Sequence, residues 1–169
     1  PSGGWLFSWN FDNYYCDLNG IECDVCPILS NVDTLTCSEQ NNIVVVNLGY
    51  VGLEGSFTSV GDISSLAHLK ELSLPGNRIS GTLPSISKLN KLTSLKLFYN
   101  QFTGTISNDL PISLIELDLD HNKLSGNIPE SISTLVNLKS LDLSNNQFTG
   151  NIPDGLGELT QLTKLDLSN

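Results

Sequence analysis

The sequence predicts an α/β-type solenoid, and three observations carry that expectation. One pattern recurs from residue 43 to residue 169 with a period of 22 to 26 residues, the range in which chains stack coil upon coil. Each copy contains a short alternation of apolar and polar residues, which suits a strand buried on one face. Each alternation is followed at fixed spacing by a turn residue, first Asn and then Gly, so the chain changes direction at the same place in every copy.

The copies start at Ile43, Leu69, Leu92, Leu114 and Leu138, and a sixth starts at Leu162 and is cut short. With the start called i, the residues at i+3 and i+5 are Val46 and Leu48, Leu72 and Leu74, Leu95 and Leu97, Leu117 and Leu119, Leu141 and Leu143, Leu165 and Leu167. They predict one buried strand face per copy. Asn77, Asn100, Asn122 and Asn146 at i+8 are expected to turn inward and bond backbone groups of the next coil, which would otherwise be unpaired in the interior. Gly55, Gly81, Gly104, Gly126 and Gly150 at i+12 suit a turn with positive φ. Pro84, Pro129 and Pro153 then fix an extended segment on the opposite side. One coil cannot bury its own apolar face, so each relies on its neighbours.

Residues 1–42 form an N-terminal cap and residues 43–169 the repeats, together one continuous domain. Cys16, Cys23, Cys26 and Cys37 are the four cysteines, all near one end of the chain. They read as a disulfide staple. Pairing Cys16 with Cys23 and Cys26 with Cys37 closes two short loops, although four cysteines permit three connectivities. Zinc is the weaker reading: Cys23 and Cys26 have ligand spacing, but the outer spacings fit poorly. Neither metal nor other cofactor is therefore expected. Disulfides imply an oxidising compartment, extracellular or at the cell surface. Trp5, Trp9 and Phe11 are expected to cover the apolar edge of the first coil.

The formal net charge is −10, and residues 1–69 hold eight acids with no Lys or Arg. Such a surface repels phosphate backbones and anionic leaflets, which excludes nucleic acid as an expected partner. No apolar run approaches the length of a bilayer span, so no membrane segment is expected. The chain stops one residue short of where the sixth Asn would follow, which reads as a piece of a longer protein.

The segments "LIELDLDHNKLSGNIP" (114–129) and "LKSLDLSNNQFTGNIP" (138–153) follow the pattern LxxLxLxxNxLSGxIP. In this the chain resembles the plant-type extracellular leucine-rich repeat. The segment "SWNFDNYYCDLNGIEC" (8–23) is similar to that family's N-terminal cap, with Leu18 in place of a Trp and Ile21 in place of a Val. The insertion "DVCPILSNVDTLTC" (24–37) departs from the cap, Val51 replaces the first Asn, and Ser107 replaces the third Pro. The resemblance implies a right-handed leucine-rich-repeat superhelix. A parallel sheet would line its concave face, and the convex side would be irregular or 3-10. It also implies binding without catalysis.

Positions at i+1, i+2, i+4, i+6 and i+7 leave the core and are free to differ, so a binding site is sought there, above all in the i+4, i+6 and i+7 columns. Asp118, Asp142 and Asp166 form a carboxylate column that is also explained by the family's routine "LDLS". Copies three and four are less routine: "LFYN" and "LDHN" place Phe98, Tyr99, Asp120 and His121 on adjacent strands, about 5 Å apart. Exposed aromatics beside charges suit a contact surface. The expected ligand-binding set is Tyr50, Lys96, Phe98, Tyr99, Asp118, Asp120, His121 and Asp142. His121 with an adjacent Asp has the residue types of acid–base chemistry, but no nucleophile motif or phosphate loop accompanies it. An enzyme is not expected.

The function predicted is extracellular recognition of a protein, peptide or glycan through the concave face, in a receptor-like or secreted protein, with a co-receptor as a further partner. The alternative is a secreted inhibitor of a cell-wall-degrading enzyme, similar to the polygalacturonase-inhibiting proteins. A passive adhesion or ice-binding array built on the hydroxyls of Ser80, Thr103, Ser125 and Thr149 ranks last.

Overall fold

The computed structural model describes residues 35–37, 43–57 and 63–169. Cys16, Cys23, Cys26, Trp5, Trp9 and Phe11 lie outside them, and so does the side chain of Cys37.

Two sheets run along the molecule. The larger has seven strands: β1 (Leu35–Cys37), β2 (Ile43–Asn47), β4 (Glu71–Ser73), β6 (Ser94–Lys96), β8 (Glu116–Asp118), β10 (Ser140–Asp142) and β12 (Lys164–Asp166). The second has five: β3 (Glu54–Ser56), β5 (Arg78–Thr82), β7 (Gln101–Gly104), β9 (Lys123–Asn127) and β11 (Gln147–Thr149). Each of the first five coils thus contributes one strand to each sheet, with the Asn turn between them in the second to fifth. The second sheet replaces part of the irregular wall expected from the sequence. Short 3-10 helices complete the circuit at Ile63–Ser65, Glu130–Thr134 and Asp154–Glu158. Pro129 and Pro153 sit before the last two, with ψ of 141° and 128°.

Neighbouring strands of the larger sheet are parallel and in strict register, with Leu72 opposite Leu95, Leu95 opposite Leu117, and Leu117 opposite Leu141. β1 is the exception: it pairs antiparallel with β2, placing Leu35 opposite Val46. The cap region therefore supplies an added strand that covers one open edge of the sheet.

The core is a set of columns. At i+3, Val46, Leu72, Leu95, Leu117 and Leu141 are all buried, whereas Leu165 is 48 % exposed. The difference shows that each coil is buried by the one after it as well as by the one before. The apolar residues at i+10 (Leu53, Ile79, Phe102 and Leu124) are buried in the same way behind the second sheet. Phe57 and Phe102 meet with ring centroids 5.9 Å apart.

The asparagines are buried and bond backward, to the preceding coil rather than the next. Asn100 Nδ2 donates to the Leu74 carbonyl (2.8 Å), and its Oδ1 accepts from the Ile79 N–H (3.0 Å). Asn122 does the same with Leu97 (3.0 Å) and Phe102 (3.0 Å). The direction follows from where these orphans lie: the Asn side chain reaches groups on the coil already laid down beneath it. Positive φ at Gly55, Gly81, Gly104, Gly126 and Gly150 matches the expected turn.

Candidate functional site

The residue just before each Asn, at i+7, also lies in the left-handed region. Tyr50 (φ 57°), Gly76 (63°), Tyr99 (52°), His121 (48°) and Asn145 (52°) form this column. Where the following residue is Asn, the sense reversal turns it into the core and directs the i+7 residue outward. Gly and Asn tolerate this conformation, whereas a bulky residue there is strained by about 1–2 kcal/mol. Sequence reasoning placed these residues on the surface but did not find the conformation. The "NN" of the fifth copy was the available signal, since Asn is the usual non-Gly choice at such a φ.

The column carries aromatic rings. Tyr50 is 70 % exposed and Tyr99 50 %. The Tyr50 ring lies over Gly76, where a Cβ would overlap its ring carbons. Tyr99 stacks on the His121 imidazole at a centroid distance of 4.1 Å and an angle of 23°. Nδ1 of His121 in turn meets the Asp120 carboxylate. Phe98 is half-buried rather than exposed, because its ring packs edge-on to Tyr99 at 6.0 Å. Asp120 is likewise partly covered.

On the strands themselves several outward residues are charged and paired. Lys96 Nζ lies 3.0 Å from Glu116. Asp142 was expected on the open face but is only 5 % exposed. Lys164 covers it, with Nζ 2.8 Å from Oδ2, and Ser144 donates its hydroxyl to Oδ1 at 2.8 Å. Burial opposes charge on Asp142, yet the Lys164 ammonium and the Ser144 hydroxyl and N–H outweigh it and hold the carboxyl below its usual range. The same contact raises Lys164. Asp166 is lowered by the Ser168 hydroxyl and N–H.

Asp118 has no such cation. Burial, followed by repulsion from Asp142 and Asp120, pushes its carboxyl up to about 6, against a donated N–H from Asp120 at 3.3 Å. Asp118, Asp120 and Asp142 bring ligand oxygens within 4.8 Å of one another, close enough to share a divalent cation. Protein groups already occupy this cluster: Asp142 faces Lys164 and Ser144, and Asp120 faces His121.

The structure thus brings Lys96, Phe98, Tyr99, Asp118, Asp120, His121 and Asp142 onto three neighbouring coils, with Tyr50 two coils before Tyr99. The hydroxyl column has scaffold work, since Ser80 donates to the Gly55 carbonyl (3.0 Å) and Thr103 to that of Gly81 (3.2 Å). Among the described residues no helix is long and apolar enough to cross a membrane.

Two family models, described as "Leucine rich repeat" and "Leucine Rich Repeat", match residues 112–169 and 68–89 respectively. A curated relative, the receptor protein-tyrosine kinase CEPR1 of Arabidopsis thaliana, is 28% identical over 158 residues, covering 80% of this chain and 16% of its own length. The chain spans less than a fifth of this relative. A crystal structure of the BIR3–SERK2 complex from Arabidopsis thaliana contains a chain 30% identical, with a TM-score of 0.68, covering 99% of this chain and 85% of that one. The crystal structure of PEPR1-AtPEP1 matches at 33% identity and a TM-score of 0.73, over 79% of this chain and 19% of that one.

Proposed function

Because the chain belongs to the leucine-rich-repeat family, of the plant extracellular type, we propose that it is a recognition module. Its ligand, a protein or peptide in preference to a glycan, docks across the outward face of the larger sheet. Lys96, Asp118 and Asp120 offer charge, while Tyr50, Phe98, Tyr99 and His121 offer ring surface. Asp142 acts from behind by fixing Lys164. The preference for a peptide or protein rests on the PEPR1–AtPEP1 and BIR3–SERK2 relatives, each solved with a partner. A co-receptor is a further expected partner, and the setting is extracellular, secreted or at the cell surface. The module binds without catalysis: the His121–Asp120 pair serves to hold the ring against Tyr99.

One observation carries the reading. Tyr50 and Tyr99 keep exposed aromatic rings at left-handed positions where the fifth copy uses Asn145. The repeat does not require a strained backbone under an exposed ring, since Asn145 serves at the same place, and such strain collects at functional sites.

The test replaces both tyrosines with the repeat's own residue, Tyr50→Asn and Tyr99→Asn. The double variant should melt no lower than the parent, with a gain of up to about 2 kcal/mol. It should lose a partner that the parent captures from extracellular extract and then binds in purified form. A variant that binds that purified partner as tightly as the parent would remove the sheet face from consideration.

A further inference from the structure

We propose that the flank by which the chain approaches the larger sheet is a second docking surface, for an acidic and aliphatic segment of a partner protein. None of its residues belongs to a strand of the sheet or to the residue set of the first reading, so the two readings stand or fall separately.

The flank is built from positions i−2 to i+1. Backbone bonds set the i+1 residues side by side. The N–H of Thr93 donates to the Lys70 carbonyl, that of Ile115 to Thr93, and that of Lys139 to Ile115, each at 2.8 Å. Just before them, Asn137 Nδ2 donates to the Ile112 carbonyl at 3.2 Å, which brings Val136 beside Ile112. Three aliphatic residues therefore lie exposed along this flank: Ile112 is 66 % exposed, Val136 61 % and Ile115 38 %.

Cations border this patch. Lys70, Lys91 and Lys139 are exposed, and none meets a carboxylate of another described residue within ion-pair distance. Lys91 instead lies 3.2 Å from the His68 ring, on the neighbouring coil. In a chain of net charge −10, the stretches 65–70, 88–93, 110–115 and 134–139 contain no Asp or Glu. The lysines of the sheet face, Lys96 and Lys164, are by contrast already paired.

This pattern selects an occupant. A bare polyanion would satisfy the lysines and leave Ile112 and Val136 wet. An apolar segment would cover the isoleucines and leave the cations unmatched. A glycan usually stacks on rings, and the patch offers aliphatic side chains instead. The fit is an amphipathic protein segment whose carboxylates flank aliphatic side chains. The backbone N–H groups of Lys70, Thr93, Ile115 and Lys139 are already used between coils, so the partner is read by side chains. Lys70 to Lys139 spans three sheet spacings, about 15 Å, which about five extended residues cover.

The probe is a twelve-residue peptide alternating Glu with Leu and Ile, set against an oligoglutamate with the same number of carboxylates. Binding is measured by anisotropy, and contacts are mapped by zero-length carbodiimide coupling of carboxylates to lysines. The mixed peptide should bind at least about tenfold tighter than oligoglutamate, with coupling concentrated on Lys91 and Lys139. Ile112→Ser with Val136→Ser should reduce its affinity about tenfold. Lys91→Gln with Lys139→Gln should weaken binding and flatten its salt dependence. All four side chains are exposed, so these variants leave the core intact. Equal binding of oligoglutamate, coupling spread evenly to Lys123 and Lys164, or failure of the mixed peptide to bind would each overturn the proposal.

Discussion

Asp118 and Asp142 occupy the same position in successive coils yet differ in chemistry, because one has a cation and the other does not. Lys164 reaches Asp142 at 2.8 Å, and Asp118 is left with burial and two neighbouring carboxylates. Its folded value of about 6 lies above the ordinary aspartate value of about 3.9. The folded state therefore holds the proton more tightly, and stability falls as pH rises between those two values. Asp142 and Asp166 act in the opposite sense, losing their contribution only as pH falls through their depressed values. Asp118→Asn should flatten the decline between pH 4 and about 6. It should also raise stability at neutral pH by on the order of 1 kcal/mol, discounted because the group is partly exposed. Urea unfolding of both proteins at several pH values measures this; parallel curves would contradict it.

Strands only three to five residues long would not survive alone, and what holds them is the column of leucines passing through their centres. Leu117, at the middle of β8, is 1 % exposed, and its counterpart in β12, Leu165, is 48 % exposed. The same substitution should therefore differ by position. Leu117→Ala opens a cavity between two coils and should cost about 2–5 kcal/mol, whereas Leu165→Ala should cost about 1 kcal/mol or less. Chemical denaturation of the pair checks this; equal losses would mean that burial from one side suffices. The buried asparagines do the polar counterpart of this work, each satisfying backbone groups of its own coil and the one before it.

At the scale of the molecule, order is passed from neighbour to neighbour. Every strand of the larger sheet pairs only with adjacent coils, apart from β1, which turns back antiparallel on β2. Stability in such an array is a sum of coil and interface contributions, so it varies along the axis. Among the repeat strands of the larger sheet, amide exchange should be slowest in β6 and β8 and fastest in β12, which has a partner on one side only. Uniform protection would instead mark one all-or-none unit. The solenoid also separates two surfaces that a globular core would merge. The sheet face carries charge and stacked rings, and the approach flank carries lysines with no ion-pair partner among the described residues, beside aliphatic side chains.

Much of this was written in the sequence. Repeat length, the leucine columns, the inward Asn and the positive-φ Gly are local properties of one coil, and the repeated period states each of them at least four times. Lys96, Tyr99, Asp118, Asp120 and His121 could be placed together because parallel register follows from that same period. What the sequence left open depends on distances between coils. It gave no sign that Asp142 is covered by Lys164, that Phe98 is half-buried by Tyr99, or that the asparagines reach back rather than forward. Nor did it show that the stretch after the turn forms a second sheet, because those bonds lie between residues 20 or more apart in the chain. Local pattern fixes where a side chain starts; only the stacked neighbour decides what it meets.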